Sequence, residues 1–129
     1  MYIRVLGASV NAAVMAYRMS LIGHHVNWQT LDKDLSNRLK QSEMIFDDCE
    51  LSCSLREQMS LNLLMVDEPC IEYTYSVCIL AVNNEQYLDF DQLREKFSRY
   101  KYKLVINYAN LGMGKTRELQ QELAIKNIV

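Results

Sequence analysis

The first 29 residues alternate between two apolar patterns, and this alternation restricts the possible folds more than any other feature of the chain. Tyr2 to Leu6 is a short apolar-rich stretch that predicts a buried strand, and Gly7 follows it as a turn residue. Val10 to Leu21 predicts a helix with small residues on its inner side, which Gly23 ends. His25 to Gln29 predicts a second strand. A strand, a crossover helix and a second strand form a βαβ unit, which belongs to a parallel sheet.

The same alternation continues along the rest of the chain. Further helices are predicted over Asp32 to Gln41, Leu51 to Met59, Phe90 to Tyr100 and Lys115 to Lys126, and further strands over Leu61 to Val66, Val77 to Val82 and Lys103 to Tyr108. The 129 residues therefore predict one α/β domain, a Rossmann-like parallel sheet with helices on both faces. Functional residues are expected at the carboxyl ends of the strands, in the loops after Leu6, Gln29, Val82 and Tyr108.

Charge and cysteine content argue against several classes of function. The 14 basic and 16 acidic residues give a net charge of -2, without the basic excess of nucleic-acid-binding proteins. The four cysteines lack the paired CxxC spacing of a zinc site and are too few for a disulfide framework, which predicts reduced thiols in the cytoplasm. The adjacent His24 and His25 would point to opposite faces of a strand, so no metal site is predicted. Neither a signal peptide nor a membrane-spanning segment is expected.

The loop after Leu6 is a weakened form of the dinucleotide-binding fingerprint. It reads Gly7-Ala8-Ser9-Val10-Asn11-Ala12, where the fingerprint has glycine at the first, third and sixth positions. The third glycine position lets the backbone approach a pyrophosphate and the sixth lets the helix pack on the strand, but Ser9 and Ala12 carry a Cβ there. Helix N-terminal amides can still bind a phosphate. The alternative is a turn kept only for the fold.

The end of the second predicted strand also departs from an NAD site. Domains selective for NAD place Asp or Glu there to hold the ribose hydroxyls, and this chain has Thr30. Asp32 and Asp34 are expected in the first turn of the next helix, where the helix dipole favours acidic residues. We therefore expect NAD to bind weakly or not at all.

A second phosphate-loop pattern lies near the end of the sequence. Residues 109–116 read Ala109-Asn110-Leu111-Gly112-Met113-Gly114-Lys115-Thr116 and fit the Gly-Lys-Thr pattern with alanine in the first place. Only 13 residues follow Thr116, too few for the later strand whose acidic residue helps to hold magnesium. We interpret the match as accidental and expect Lys115 and Thr116 to begin a solvated helix.

The order of these segments resembles the UDP-glucose/GDP-mannose dehydrogenases. The loop at 7–12 followed by Leu21-Ile22-Gly23-His24-His25-Val26 is similar to the family's opening and to its Leu-x-Gly-His-x-Val. Four later segments also resemble family motifs. Phe46 to Leu55 is similar to the family's stretch around Tyr-Glu-Pro-Gly-Leu, and Leu63 to Asp67 is similar to its third strand, which ends in Asp. Cys78 to Val82 is similar to its Phe-Ile-Ala-Val strand, and Leu104 to Gly114 is similar to its strand and loop ending in Ser-Thr-Val-Pro-Val-Gly-Thr. If a nucleotide binds, the resemblance implies contacts from Gly7, Ala8, Ser9, Val10, Asn11, Thr30, Val82, Asn83 and Asn110.

The departures from this family fall in its cofactor loops. Asn83-Asn84-Glu85 stands where the family has Pro-Thr-Pro, Ala109-Asn110 where it has Ser-Thr, and Thr30 where it has the ribose-binding Asp. The family's nucleophilic cysteine, catalytic lysine and sugar-nucleotide pocket belong to later parts of a longer chain, so no cysteine here inherits that role.

The resemblance thus implies a non-catalytic remnant that acts as a protein-interaction or regulatory module. The alternative is a small NAD(H)-binding or nucleotide-binding protein, or one component of a split dehydrogenase. An uncovered sheet edge is expected to favour self-association.

Overall fold

The computed structural model describes residues 1–69, 74–83, 86, 90–98, 101–108, 115–122 and 128–129. The strands among these residues are β1 (Tyr2–Leu6), β2 (His25–Gln29), β3 (Leu64–Val66), β4 (Thr74–Leu80) and β5 (Lys101–Asn107). The helices are α1 (Val10–Leu21), α2 (Lys33–Lys40), α3 (Cys49–Ser60), α4 (Phe90–Ser98) and α5 (Lys115–Glu122). No helix in the described part of the chain has the length and apolar character needed to cross a membrane.

The strands form one sheet in the order β3-β2-β1-β4-β5, and each adjacent pair is parallel. From β1 the chain moves outward to β2 and β3 and then returns to the other side of β1 for β4 and β5. The direction of winding therefore reverses between β1 and β4. The predicted Rossmann-like α/β class is confirmed, and the reversal creates a crevice at the carboxyl ends of β1 and β4.

Capping side chains fix where the first helices begin. The Ser9 hydroxyl accepts the amide of Ala12 at the start of α1. Asp32 accepts two amides at the start of α2, and Asp48 accepts the amide of Leu51 at the start of α3. Each cap pairs amides that a helix end leaves without an intrahelical partner, so these polar residues set the helix starts at the crevice.

Apolar residues cover both faces of the sheet. On one face, Trp28 and its strand neighbours pack against the alanine side of α1 and against α2 and α3. On the other face, Leu6 and Cys78 pack in a second cluster with Leu93 of α4. The buried alanines Ala12, Ala13 and Ala16 let α1 lie close to the sheet. Helices on both faces are what a buried parallel sheet requires.

Several predicted boundaries were wrong. The strand predicted at Val77 to Val82 runs from Thr74 to Leu80, because Ala81 and Val82 leave the sheet to pack on the loop after β1. Leu61 was predicted to begin a strand but caps the end of α3, its amide bonded to Glu57. The helix predicted over Phe90 to Tyr100 is seen from Phe90 to Ser98, and positions 99–100 lie outside the described residues.

The end of the chain adds to the sheet beyond β5. Val129 donates its amide to the carbonyl of Val105 at 2.9 Å and accepts the amide of Asn107 at 2.7 Å. Ile128 pairs with Val105 in the parallel sense. The last predicted helix is seen from Lys115 to Glu122, and positions 123–127 lie outside the described residues.

Candidate functional site

Gly7 forms the turn at the carboxyl end of β1, and the surrounding backbone requires glycine there. Its φ is +128°, which L-residues rarely adopt, and a Cβ would lie 2.2 Å from the carbonyl oxygen of Ala81. The Gly7 amide donates to the carbonyl of Gln29 at 2.9 Å, and the Gly7 carbonyl accepts the indole N–H of Trp28 at 2.8 Å. The turn thereby joins β1, β2 and the segment after β4. This role is structural and needs no ligand.

Ser9 stands at the third fingerprint position without backbone strain. Its φ of -80° and ψ of 161° are extended, so glycine is not needed for conformation. The hydroxyl accepts the amide of Ala12 at 3.1 Å and donates to the carbonyl of Ala81 at 2.6 Å. Among the described residues, nothing accepts a hydrogen bond from the amides of Val10 or Asn11. The helix N-terminus thus keeps two amide donors for an anion.

Gln86 fills the crevice, and sequence reasoning missed it. Its Oε1 accepts the amide of Ala8 at 2.8 Å and that of Asn83 at 3.3 Å. Its Nε2 donates to the carbonyl of Thr30 at 2.7 Å, and only 7% of the residue is exposed. One carboxamide therefore bridges the loops that follow β1, β2 and β4.

A glutamine suits this position because its carboxamide carries both an acceptor and a donor. Asn83 orients it, since the Asn83 Oδ1 accepts the amide of Gln86 at 2.9 Å. As a result, the Ala8 amide of the fingerprint loop is already satisfied by the chain itself. No local signal in the sequence marks Gln86, because the Ala8 contact joins residues 78 positions apart.

The carboxylate at this end of the sheet comes from β3. Asp67 follows β3 directly, and its Oδ1 accepts the Thr30 amide at 2.8 Å while its Oδ2 accepts the Thr30 hydroxyl at 2.5 Å. Thr30 is fully buried. An acidic residue at this end of the sheet therefore follows β3 where β2 is followed by Thr30, and both its carboxylate oxygens are bonded to Thr30. The sequence signal was Asp67 itself, which ends the segment Leu63 to Asp67 that resembles the family's third strand.

A polar cavity of about 530 Å³ lies beside Asp67, at the carboxyl ends of β2 and β3. Its wall includes Gln29, Leu31, Asp32, Lys33, Asp67 and Gln92. Asp32 is occupied as the cap of α2, with its Oδ1 accepting the amides of Asp34 and Leu35. A cavity of this volume is large enough for a small polar molecule. Gln86 therefore fills the part of the crevice near the fingerprint loop, and the cavity occupies the part beside Asp67.

The structure brings most of the predicted site residues together. Ala8, Thr30 and Asn83 are bonded to Gln86. Gly7 and Ser9 stand on either side of Ala8 in the same loop, where they bond to Gln29 and Ala81. Val82 is buried at the end of the same segment, while Val10 and Asn11 begin α1. Asn110 and positions 109–114 of the Gly-Lys-Thr pattern lie outside the described residues, and Lys115 begins α5.

The described cysteines fall into two groups. Cys78 lies within β4 and is fully buried, and burial raises the pKa of its thiol to about 12 although Arg4 acts in the opposite direction. Cys49 and Cys53 are exposed. Both lie on α3, whose capped start at Asp48 comes earlier than the predicted Leu51.

We expect thiol reagents to separate these groups. Because the thiolate is the reactive form, Cys78 should stay unmodified in the folded protein at pH 8 while Cys49 and Cys53 react. Peptide mass spectrometry after a short treatment with iodoacetamide measures this directly. Addition of urea should then expose Cys78 to the reagent. Equal rates for Cys78 and Cys53 under folding conditions would contradict the burial of β4.

Comparisons with known proteins identify the fold. No family model and no curated protein matches the sequence. Solved structures do match. A UDP-D-ManNAc dehydrogenase from Pyrococcus horikoshii matches at 18% sequence identity with a TM-score of 0.75. A UDP-glucose dehydrogenase from Pyrobaculum islandicum matches at 17% sequence identity with a TM-score of 0.73. Each match covers 98% of this chain and 34% of the other.

A GDP-mannose dehydrogenase from Pseudomonas aeruginosa also matches, at 14% identity and TM-score 0.72, over 100% of this chain and 35% of its own. The resemblance noted in the sequence is therefore confirmed at the level of fold. The chain spans about a third of the length of these dehydrogenases.

Proposed function

We propose that this chain is a non-catalytic domain with the fold of the NAD-binding part of a sugar-nucleotide dehydrogenase, and that it acts as a protein-interaction or regulatory module. The observation that carries the proposal is the Gln86 carboxamide, which holds the Ala8 amide and the Thr30 carbonyl in the crevice. A nucleotide phosphate would have to compete with this side chain for the Ala8 amide.

The cost of displacing Gln86 argues against tight NAD binding. A phosphate on the Ala8 amide must remove Oε1 of Gln86, and that movement also breaks the Nε2 bond to Thr30. Each buried polar group left without a partner costs about 1–3 kcal/mol, which corresponds to about one to two orders of magnitude in affinity. Asp67 is likewise engaged, because both carboxylate oxygens accept from Thr30.

The thiol chemistry also supports a non-catalytic role. The one buried cysteine in the described strands, Cys78, has a pKa near 12 and lies in the core, so it offers no thiolate to a substrate. Cys49 and Cys53 are exposed on α3. A nucleophile needs an enclosed substrate site beside it, and these two cysteines do not line the crevice cavity.

A second candidate function is nucleotide binding, alone or as one component of a split dehydrogenase. The amides of Val10 and Asn11 at the start of α1 favour it, together with the cavity of about 530 Å³ beside Asp67. Such amides attract a phosphate through both hydrogen bonds and the helix dipole. Calorimetry distinguishes the two candidates.

We expect the wild-type chain to bind NAD with a dissociation constant above about 100 µM in isothermal titration. Gln86→Ala should bind NAD about tenfold more tightly, because no Gln86 Oε1 then has to leave the Ala8 amide before a phosphate can bind there. The matched control is Gln58→Ala, which removes an equally buried glutamine from α3, away from the crevice, and should leave the affinity unchanged. Binding by the wild type in the low micromolar range would contradict the proposal and favour the second candidate.

A further inference from the structure

Large apolar side chains are exposed at the end of the sheet opposite the crevice, where the strands begin. Met1, Tyr2, Leu21, Ile22 and Leu61 are each between 46% and 68% exposed, and together they form what we call the amino-edge surface. They come from the start of β1 and the ends of α1 and α3. A contiguous apolar surface on a folded domain commonly marks an interaction site.

Hydrogen bonds and a ring contact place these segments side by side. His25 donates its amide to the carbonyl of Met1 at 3.0 Å, and its ring stacks on Tyr2 with centroids 5.3 Å apart. The amide of Val26 donates to the carbonyl of Leu63 at 2.8 Å, which brings the segment after α3 next to β2. The segments that carry the exposed side chains are therefore neighbours at this end of the sheet.

A recess adjoins the amino-edge surface at Tyr2, on the face of the sheet away from α1 and α3. A cavity of about 370 Å³ is lined by Tyr2, His25, Asn27, Leu63, Met65 and Tyr75. Tyr2 thus belongs to both the protruding surface and the wall of the recess. Protrusions next to a recess on a single surface give the self-complementary shape that a two-fold symmetric interface needs.

The charge pattern favours a second copy as the occupant. Residues 19–27 and 58–66 supply most of this surface and contain no Asp, Glu, Lys or Arg, although 23% of the chain is charged. A charged partner surface would lose hydration without gaining an ion pair in these segments. A second copy presents the same uncharged segments, and the Met1 ammonium of each copy is already paired with Nδ1 of His24 at 3.2 Å.

We propose that two copies of this chain associate through their amino-edge surfaces, with Ile22 and Leu61 of each protomer packing towards the recess of the other. Five side chains of this size and exposure offer about 500 Å² per copy, so the pair buries about 1,000 Å², near the lower limit for specific association. The dimer is therefore weak and reversible. It forms at the end of the sheet opposite Gln86, so it does not depend on the state of the crevice.

Sedimentation velocity over about 10 µM to 1 mM protein tests the proposal, because the weight-average mass should rise from monomer towards dimer across this range. Ile22→Lys and Leu61→Lys should each weaken association at least about tenfold, since a lysine would be desolvated in the interface. The matched control is Val10→Lys. Val10 is β-branched like Ile22 and 47% exposed, but it lies at the crevice end of α1, so its replacement should not change the dimer.

A wild-type chain that stays monomeric up to 1 mM would overturn this assignment, and so would a dimer that persists in both lysine variants. Circular dichroism shows whether the lysine variants keep the wild-type fold. If Ile22→Lys unfolds, Ile22→Thr carries the same test with a smaller change in size. NAD titration of Ile22→Lys and Leu61→Lys should match the wild type, which separates this outcome from that of the crevice.

Discussion

Replacing Gly7 by alanine is expected to lower the free energy of unfolding by about 4 kcal/mol or more. A φ of +128° is strained for any L-residue, which accounts for about 1–3 kcal/mol. The new Cβ would also lie 2.2 Å from the Ala81 carbonyl oxygen and 2.6 Å from the Cα of Val82. These are backbone atoms, so the loop and the segment after β4 must move apart.

Gly23→Ala is the matched control for Gly7→Ala. Gly23 has a similar φ of +106°, but no described atom lies within 4 Å of a Cβ placed there. Gly23→Ala should lower the free energy of unfolding only through the strain of alanine at a positive φ, by about 1–2 kcal/mol. Urea unfolding of both variants, followed by circular dichroism, isolates the packing cost as their difference. Equal losses of unfolding free energy in the two variants would contradict the structure, because they would show that the Gly7 turn accommodates a Cβ without a packing cost.

Replacing Gln86 by alanine is expected to lower the free energy of unfolding by about 2–4 kcal/mol. The change leaves the buried Ala8 amide and the Thr30 carbonyl without their partner, and it creates a space at the meeting point of three loops. Gln86→Glu should cost at least as much, because a carboxylate keeps the acceptor for Ala8 but has no N–H for Thr30.

Gln58→Ala again provides the control. Gln58 is 4% exposed, and no atom of the described residues donates to its Oε1, so the loss of this side chain should cost less than the loss of Gln86. Thermal and urea unfolding measure both variants. A loss below about 1 kcal/mol for Gln86→Ala would mean that the crevice does not depend on the carboxamide, and the proposed function would lose its main support.

The architecture could be predicted because its signals are local. The apolar stretch, glycine and small-residue helix at the start of the chain predicted β1, α1 and β2 with the bounds observed. Boundaries failed where apolar residues serve another purpose. Val82 is as apolar as a strand residue, yet it packs beside Gly7, and Leu61 is exposed at the end of α3. Hydrophobicity alone does not distinguish these roles.

The site was harder to predict because long-range contacts create it. The fingerprint pattern correctly marked Gly7 and Ser9 as the loop at the crevice. It gave no indication that Gln86 would reach Ala8, or that Asp67 would bond to Thr30 across 37 positions. Such pairings follow from the order of strands in the sheet, where residues far apart in the chain end beside one another.

The indole of Trp28 gives the crevice a built-in optical reporter. This is the single tryptophan of the chain, it is fully buried, and its N–H is bonded to the carbonyl of Gly7. Tryptophan emission shifts to longer wavelength when the ring meets water, so the fluorescence of the unlabelled protein reports on this one turn. A ligand that opens the crevice should shift the spectrum, whereas a partner bound at the far end of the sheet should leave it unchanged.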